Sequence, residues 1–414
     1  MEESDREGRF ERSEARLLWA LWLSYGAFYF CRSNLAAAVP GLEHEAGLSK
    51  TEIGWILGSL KFAYGVGQLI NGQLAERIRP RVLLAIGMFA SAALNILFGF
   101  ATGLYFLLFV WAVNGYAQSL GWPSTMRVTA NWFPAARRGR AIGIIGTGYQ
   151  LIGSVTFVVS GWAADSFGWR GALFVPAGLL VASGIHMLVI LEERPPISTV
   201  TAKAPGHEGT WRSNFAATVT NGRLWLLALA LGLLNACRYG FVDWGITHLR
   251  EVQAASLGAS GLKYSVLPAG GIIGTLVAGW ATDRFFGGRR IPVIVAMLLV
   301  LAALVVGYDA IIRTNVIAST LTLAVIGALI FGPQVLLVGT TPVDFAKRGA
   351  AAAACGFVDF FGYLGAAGGD QVTGYLVDHH SWKAALTFWA VCPLGAAVIV
   401  APLWRVSANR RAPA

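Results

Sequence analysis

Arg32 is the single charged residue in the apolar stretch "LLWALWLSYGAFYFCRSNLAAAVP" (17–40). A cation at mid-bilayer costs roughly 2.5–3.5 kcal/mol even on the mildest scale, so retaining one points to a function. Arg238, in "NACRYG", follows 206 residues later and also lies deep in an apolar stretch. Guanidinium groups stay charged at physiological pH and match phosphate oxygens two bonds at a time. Two such forks facing one another in a low-dielectric cavity suit a phosphate better than a monocarboxylate or a neutral solute. The plainer reading is a pair of structural charges, met by local carbonyls or by Asp243. Asp243 lies five residues beyond Arg238, off its helical face. Tyr25 and Tyr29 precede Arg32 by seven and three residues. In a continuous helix all three share one stripe, where the hydroxyls either orient the arginine and its anion or simply pack.

The elements that must position these groups are membrane spans. The chain has 414 residues, 56% hydrophobic and 13% charged, with mean hydropathy +0.59. Soluble domains carry about 25% charged residues, so an integral membrane protein is expected. The polar start "MEESDREGRFERSEAR" makes the first apolar segment a span rather than a cleaved leader. Spans are predicted at 17–40, 50–75, 82–103, 105–133, 140–164, 171–191, 224–249, 260–282, 291–312, 317–343, 350–376 and 384–404. Twelve spans put both termini on one side. That side holds 22 Lys and Arg and the opposite loops six, which places both termini in the cytoplasm. The net charge of +10 is thus mainly a topology signal, with contact to acidic lipids secondary and no nucleic-acid partner. The other four basic residues, Arg32, Lys61, Arg127 and Arg238, lie within spans, and Arg127 is near enough to a helix end to snorkel.

Internal repeats divide the chain. "GQLAER" (72–77) resembles "GWATDR" (279–284), and "GWAADSFGWRGAL" (161–173) resembles "GYLVDHHSWKAAL" (374–386), at offsets of 207 and 213. The expected organisation is a cytoplasmic tail (1–16), a six-helix half (17–193), a linker (194–222), a second half (223–405) and a tail (406–414). Chains of this kind bind substrate near the midplane and rock one half against the other. Cys31, Cys237, Cys355 and Cys392 all lie in apolar spans, and His186, His379 and His380 lack partners at metal-ligand spacing. No metal, cofactor or hydrolytic constellation is indicated. The glycine strings "GIIGTG" (143–148) and "GGIIGTLVAG" (270–279) sit inside spans, where close helix packing explains them.

"NGYAQSLGWP" (114–123) followed by "NWFP", "RYGFVDWGITHLRE" (238–251), and "FGP" (331–333) leading to "GFVDFFGYLG" (356–365) resemble the organophosphate:phosphate antiporter family of the major facilitator superfamily. The resemblance runs from about residue 17 to residue 405. It implies an all-α major facilitator fold of twelve transmembrane helices in two pseudo-symmetric halves. It also implies antiport of an organic phosphate, such as a sugar phosphate, glycerol phosphate or phosphoglycerate, against inorganic phosphate, by a carrier that is not an enzyme. By that resemblance Arg32 and Arg238 fall on the family's phosphate-binding arginines, and Tyr25, Tyr29, Gln118, Tyr239 and Tyr363 on cavity positions. Gly72, Glu76 and Arg77, with Gly279, Asp283 and Arg284, look like the superfamily's cytoplasmic bracing motif.

There are departures. Where glycerol-phosphate antiporters carry a cavity lysine, this chain has Gln68; Tyr149 replaces a histidine, Pro268 a glutamate and Asn235 a tyrosine. Lys61 and Asp359 are charges the family pattern does not supply. Depth counting along the second and eleventh spans predicts that they pair across the halves when the outer side closes. The rival role for Lys61 is a direct substrate ligand. A bacterial inner-membrane location and a monomer are expected. Two further readings are a membrane sensor of external organic phosphate and a proton-coupled drug exporter using Asp359. The acid also brings an aminoalkyl phosphate or phosphonate into the range of substrates.

Overall fold

A computed structural model of the chain describes residues 2–193, 216–313, 316–346 and 350–405, without the side chains of 2–12, 76, 135, 136 and 352. Most of the expected linker (194–222) and the C-terminal tail lie outside the described residues. The described chain is helical throughout, and its helices fall into twelve rods in chain order. We number them α1 (Glu2–Ala27, continuing through a 3-10 turn at Phe28–Cys31 to Leu35–His44), α2 (Lys50–Arg77), α3 (Pro80–Phe100), α4 (Leu104–Gln118, then Gly121–Trp132), α5 (Ala135–Phe167) and α6 (Gly171–Ile190). The second six are α7 (Gly222–Gln253), α8 (Leu257–Tyr264, then Val266–Phe286), α9 (Ile291–Ile312), α10 (Val316–Val335, a π turn at Leu336–Thr340, then Thr341–Phe345), α11 (Ala351–His379) and α12 (Trp382–Val400).

Among the described residues nine rods are long and apolar enough to cross a bilayer. The other three are α1 and α4, both interrupted, and α11, which carries Asp359 and Asp370. Large apolar side chains face outward, with Val189, Val306 and Ile317 all more than 70% exposed, as lipid contact requires. The sequence signals for rod ends hold locally. "SKTE" gives α2 a capping box, in which Ser49 and Glu52 satisfy each other's free N–H groups.

One expectation is corrected here. The first span is not a continuous α-helix, because α1 tightens into a 3-10 turn at Phe28–Cys31 and breaks at 32–34 before resuming at Leu35. The break frees the Cys31 carbonyl, which no water in a bilayer would satisfy. Side-chain amides take it instead: Asn114 at 3.0 Å, Gln118 at 2.7 Å and Asn95 at 3.4 Å all donate to it. Helix α1 begins at Glu2.

The halves meet along α2 with α11, α5 with α8, and the distal part of α1 with α7. Their closest approaches cluster at one end. A Cβ on Gly54 would lie 2.6 Å from the Asp370 carbonyl oxygen, and one on Gly374 would lie 2.2 Å from that of Lys50. Toward the other end Gly72 of α2 and Gly356 of α11 meet nothing within 4 Å, and neither does Gly143 of α5. The halves therefore touch at the Lys50 end and part toward the Gly72 end, leaving a wedge between them.

Two repeated aspartates fasten the closed end. Asp378, at the C-terminal end of α11, accepts from the Lys50 and Thr51 N–H groups at 3.1 and 2.6 Å, and so caps α2 of the other half. Asp165, its counterpart in the repeat, accepts from the Leu257 and Gly258 N–H groups at 3.0 and 2.7 Å and caps α8. Each carboxylate meets the positive end of a helix dipole across the boundary between halves.

Candidate functional site

At the apex of the wedge lie Arg32 and Arg238, 5% and 3% exposed. Arg32 follows the 3-10 turn of α1, which directs it toward α4 and α2. Its Nε donates to Gln118 Oε1 at 2.6 Å, and its guanidinium lies over the rings of Tyr29 (4.8 Å) and Tyr64 (4.3 Å). Both of its terminal nitrogens are buried without a hydrogen-bond partner among the described residues. Arg238, in the middle of α7, lies over Tyr239 (4.8 Å) and Phe331 (4.7 Å), and its Nε also has no partner. Neither arginine forms an ion pair among the described residues. Each guanidinium offers five N–H donors, and here aromatic faces support the cations while nearly all of those donors go unused.

Tyrosines wall this region. Tyr29 stacks on Tyr149 with centroids 5.2 Å apart, Tyr64 packs on Tyr363 at 4.5 Å, and Tyr239 lies 6.4 Å from Tyr363. Tyr25 packs on Trp122 at 4.8 Å and lies 6.2 Å from the Tyr149 ring. Gln68 reaches the site only indirectly, donating to the Tyr64 hydroxyl at 2.6 Å. Asn235 is buried where α7 crosses Gly362 of α11. Asp359 is half-buried on α11, one turn before Tyr363, and both arginines act on it electrostatically.

Sequence reasoning missed Tyr64, Phe331, Asn95 and Asn114 as parts of the arginine environment. Tyr64 carried a signal, since it lies one turn from both Lys61 and Gln68. The asparagines carried none, because their task arises only when α1 breaks.

Residues 21–369 match the family model of the Major Facilitator Superfamily. The chain is 32% identical to a glycerol-3-phosphate transporter of Bacillus subtilis, over 98% of this chain and 95% of that one. It is 28% identical to a probable hexose phosphate transport protein of Chlamydia trachomatis, over 95% and 91% of the two chains. A membrane sensor protein, UhpC of Escherichia coli, is also 28% identical, over 98% and 95%. The chain belongs to the organophosphate:phosphate antiporter family of the major facilitator superfamily. Among solved structures, a bacterial homologue of the human lysosomal transporter Spinster, inward-facing and occupied, superposes with a TM-score of 0.78 at 16% identity, over 97% of this chain and 99% of that one. That likeness concerns the fold.

This family member departs from its expected charge pairing. Lys61, 3% exposed, donates to Asp243 and lies 2.5 Å from an Asp370 carboxylate oxygen, with its ammonium 4.8 Å from the Tyr239 ring centre. It does not pair with Asp359. The depth count treated α2 and α11 as equally spaced along their length, whereas the gap between them widens from Gly54 toward Gly72. The widening leaves Asp359 on the open side of the wedge and Asp370 on the closed side. Lys61 is closed off by two carboxylates, so it is not among the free cations of the site. Asp243, considered for Arg238, serves Lys61 instead.

The repeated loop motif lies at the ends of α2 and α8 away from Lys50. Arg77 and Arg284 are exposed, and neither forms a hydrogen bond or ion pair among the described residues. Gly72 and Gly279 have open space at their Cβ positions, Asp283 is exposed, and the Glu76 side chain lies outside the described residues. Neighbouring residues also brace this end. Arg127 donates to the Ala75 and Ile78 carbonyls and caps α2, Glu193 caps α3 through the Arg81 N–H at 2.9 Å, and Arg290 pairs with Asp344.

Proposed function

We propose that the chain exchanges an organic phosphate for inorganic phosphate, the phosphate binding between Arg32 and Arg238 as the halves rock about it. The observation that carries this reading is the pair of buried guanidinium groups, one from each half, whose donors are nearly all unpaired among the described residues. Bidentate bonds to phosphate oxygens would satisfy those donors and neutralise both charges together. Tyr25, Tyr29, Gln118, Tyr149, Tyr239 and Tyr363 shape the pocket, with Tyr64 and Phe331 added to the expected set. Lys61, Gln68 and Asn235 act from behind it. The relatives' names, glycerol-3-phosphate and hexose phosphate carriers, support the same substrate class.

The excess of basic residues on the side of the termini favours a cytoplasmic location for both, in a bacterial inner membrane, with the carrier acting as a monomer. In that orientation the Lys50 end faces outward and the wedge opens to the cytoplasm. Exchange is obligatory in this scheme. An empty cavity with two unneutralised guanidinium groups pays several kcal/mol to close around them, a cost that bound phosphate removes. Proteoliposomes loaded with labelled phosphate should hold it until phosphate or an organic phosphate is added outside. Rapid release into phosphate-free buffer would contradict the scheme. The similarity to a sensor protein supports a second reading, in which binding is retained and turnover is negligible. The same vesicles separate the two.

A further inference from the structure

Asp359 is the one acid of the wedge that the phosphate reading leaves without a task. It lies half-buried on the α11 face that carries Tyr363 and, among the described residues, has no hydrogen-bond or ion-pair partner. The charges that act on it are those of Arg238 and Arg32, and it acts in turn on Tyr149 and Tyr363. One turn away Gly356 has open space where a Cβ would stand, so the wall beside the carboxylate is unfilled. Lys61 is not available to it, being closed between Asp243 and Asp370.

Counting the charges open to the wedge makes its role specific. Arg32, Arg238 and Asp359 sum to a single positive charge. A dianionic phosphate monoester on the arginines leaves one negative charge in excess, and an uncompensated charge in such a site is strongly unfavourable. The hydroxyls of a sugar or of glycerol carry no charge, so such an ester removes it only by binding as its protonated monoanion. An ammonium group on the same ligand removes it while the phosphate stays dianionic, by bonding to Asp359. A dihydrogen phosphate ion has the same net charge as such a zwitterion, so the two exchange without changing the charge of the cavity.

Resting on the phosphate reading above, we propose that the organic substrate is a zwitterionic phosphate monoester or phosphonate. Its phosphorus oxyanions bind Arg32 and Arg238, and its ammonium, on a short alkyl chain, binds Asp359.

The test uses the full chain in proteoliposomes loaded with labelled inorganic phosphate. Exchange is driven from outside by 2-aminoethyl phosphate, by 2-aminoethylphosphonate, or by 2-hydroxyethyl phosphate, which differs from the first only at the terminal group. The readout is the ratio of half-maximal concentrations for the hydroxyl and amino compounds, which does not depend on how much carrier is active. Wild-type protein should favour the amino compounds at least tenfold, and Asp359→Asn should bring that ratio close to one. A wild-type ratio near one overturns the proposal even if the variant is inactive, and so does a variant that keeps the preference. Failure of wild-type protein to exchange external phosphate for internal phosphate would instead remove the phosphate reading itself, and this proposal with it.

Discussion

The molecule buries two cationic centres that share the Tyr239 ring and treats them in opposite ways. Lys61 is held by Asp243 and Asp370, with side chains no more than 4% exposed, and it joins α2 of one half to α7 and α11 of the other. Arg32 and Arg238 have no ion-pair partner among the described residues, and their support comes from tyrosine and phenylalanine faces and one amide. Aromatic faces stabilise a cation without occupying its N–H donors, whereas carboxylates occupy them. The lysine is therefore built to hold the halves together, and the arginines are left able to take an oxyanion.

That contrast is most exposed to change at the arginines. Arg32→Lys or Arg238→Lys keeps the charge but loses the fork, and hydrogen bonds to charged groups contribute about 1.5–3 kcal/mol each. Phosphate exchange should fall roughly a hundredfold, about 2.8 kcal/mol at tenfold per 1.4 kcal/mol. The amount of protein in the membrane should not change. Near-normal exchange by either variant would mean that the arginines do not clamp phosphate.

The lysine centre should respond as a stability element. Removing one partner of a buried ion pair typically costs about 3–5 kcal/mol, so Lys61→Ala should lower the unfolding midpoint in detergent as well as exchange. Adding Asp370→Asn should restore much of that midpoint, and adding Asp359→Ala should not. The reverse pattern would return Lys61 to Asp359.

A smaller effect is expected at Gln118, which links the Arg32 Nε to the Cys31 carbonyl at the break in α1. Gln118→Ala leaves a buried donor unpaired at about 1–3 kcal/mol. It should weaken phosphate exchange several-fold while leaving Lys61-dependent stability intact. Equal losses in both would show that the two centres are not separable.

The smallest effect belongs to the aspartates that fasten the closed end. Replacing a helix-capping aspartate costs about 1 kcal/mol, so Asp165→Ala or Asp378→Ala should each open that end only slightly. A cysteine introduced at Thr51 should then react a few-fold faster with an impermeant thiol reagent. Unchanged labelling in the double variant would remove the capping aspartates from the closure.

The regions differ in how far they could be read beforehand. Arg32 and Arg238 were legible because a charge within an apolar run is a local anomaly, and its recurrence after 206 residues is a second one. Asp165 and Asp378 were visible as a repeat, but their capping of helices in the opposite half was not. The Lys61 partners were misread, since counting residues from a surface assumes parallel rods and the rods here splay. Tyr64 lies one turn from both Lys61 and Gln68, which marked its face of α2, but its meeting with Arg32 depends on how α2 packs against α1.

The sequence alone determined that this chain lies in a membrane as helical rods, that it consists of two related halves, and that each half carries one buried arginine. Those properties follow from hydropathy, charge and recurrence, and a helix in lipid must satisfy its own backbone whatever its neighbours do. The tertiary structure decided which acid meets Lys61, where α1 breaks, which amides receive the freed carbonyl, and which rings lie against the guanidinium groups. Each of these depends on the rotation, tilt and register of one rod against another, set by packing among residues far apart in the chain.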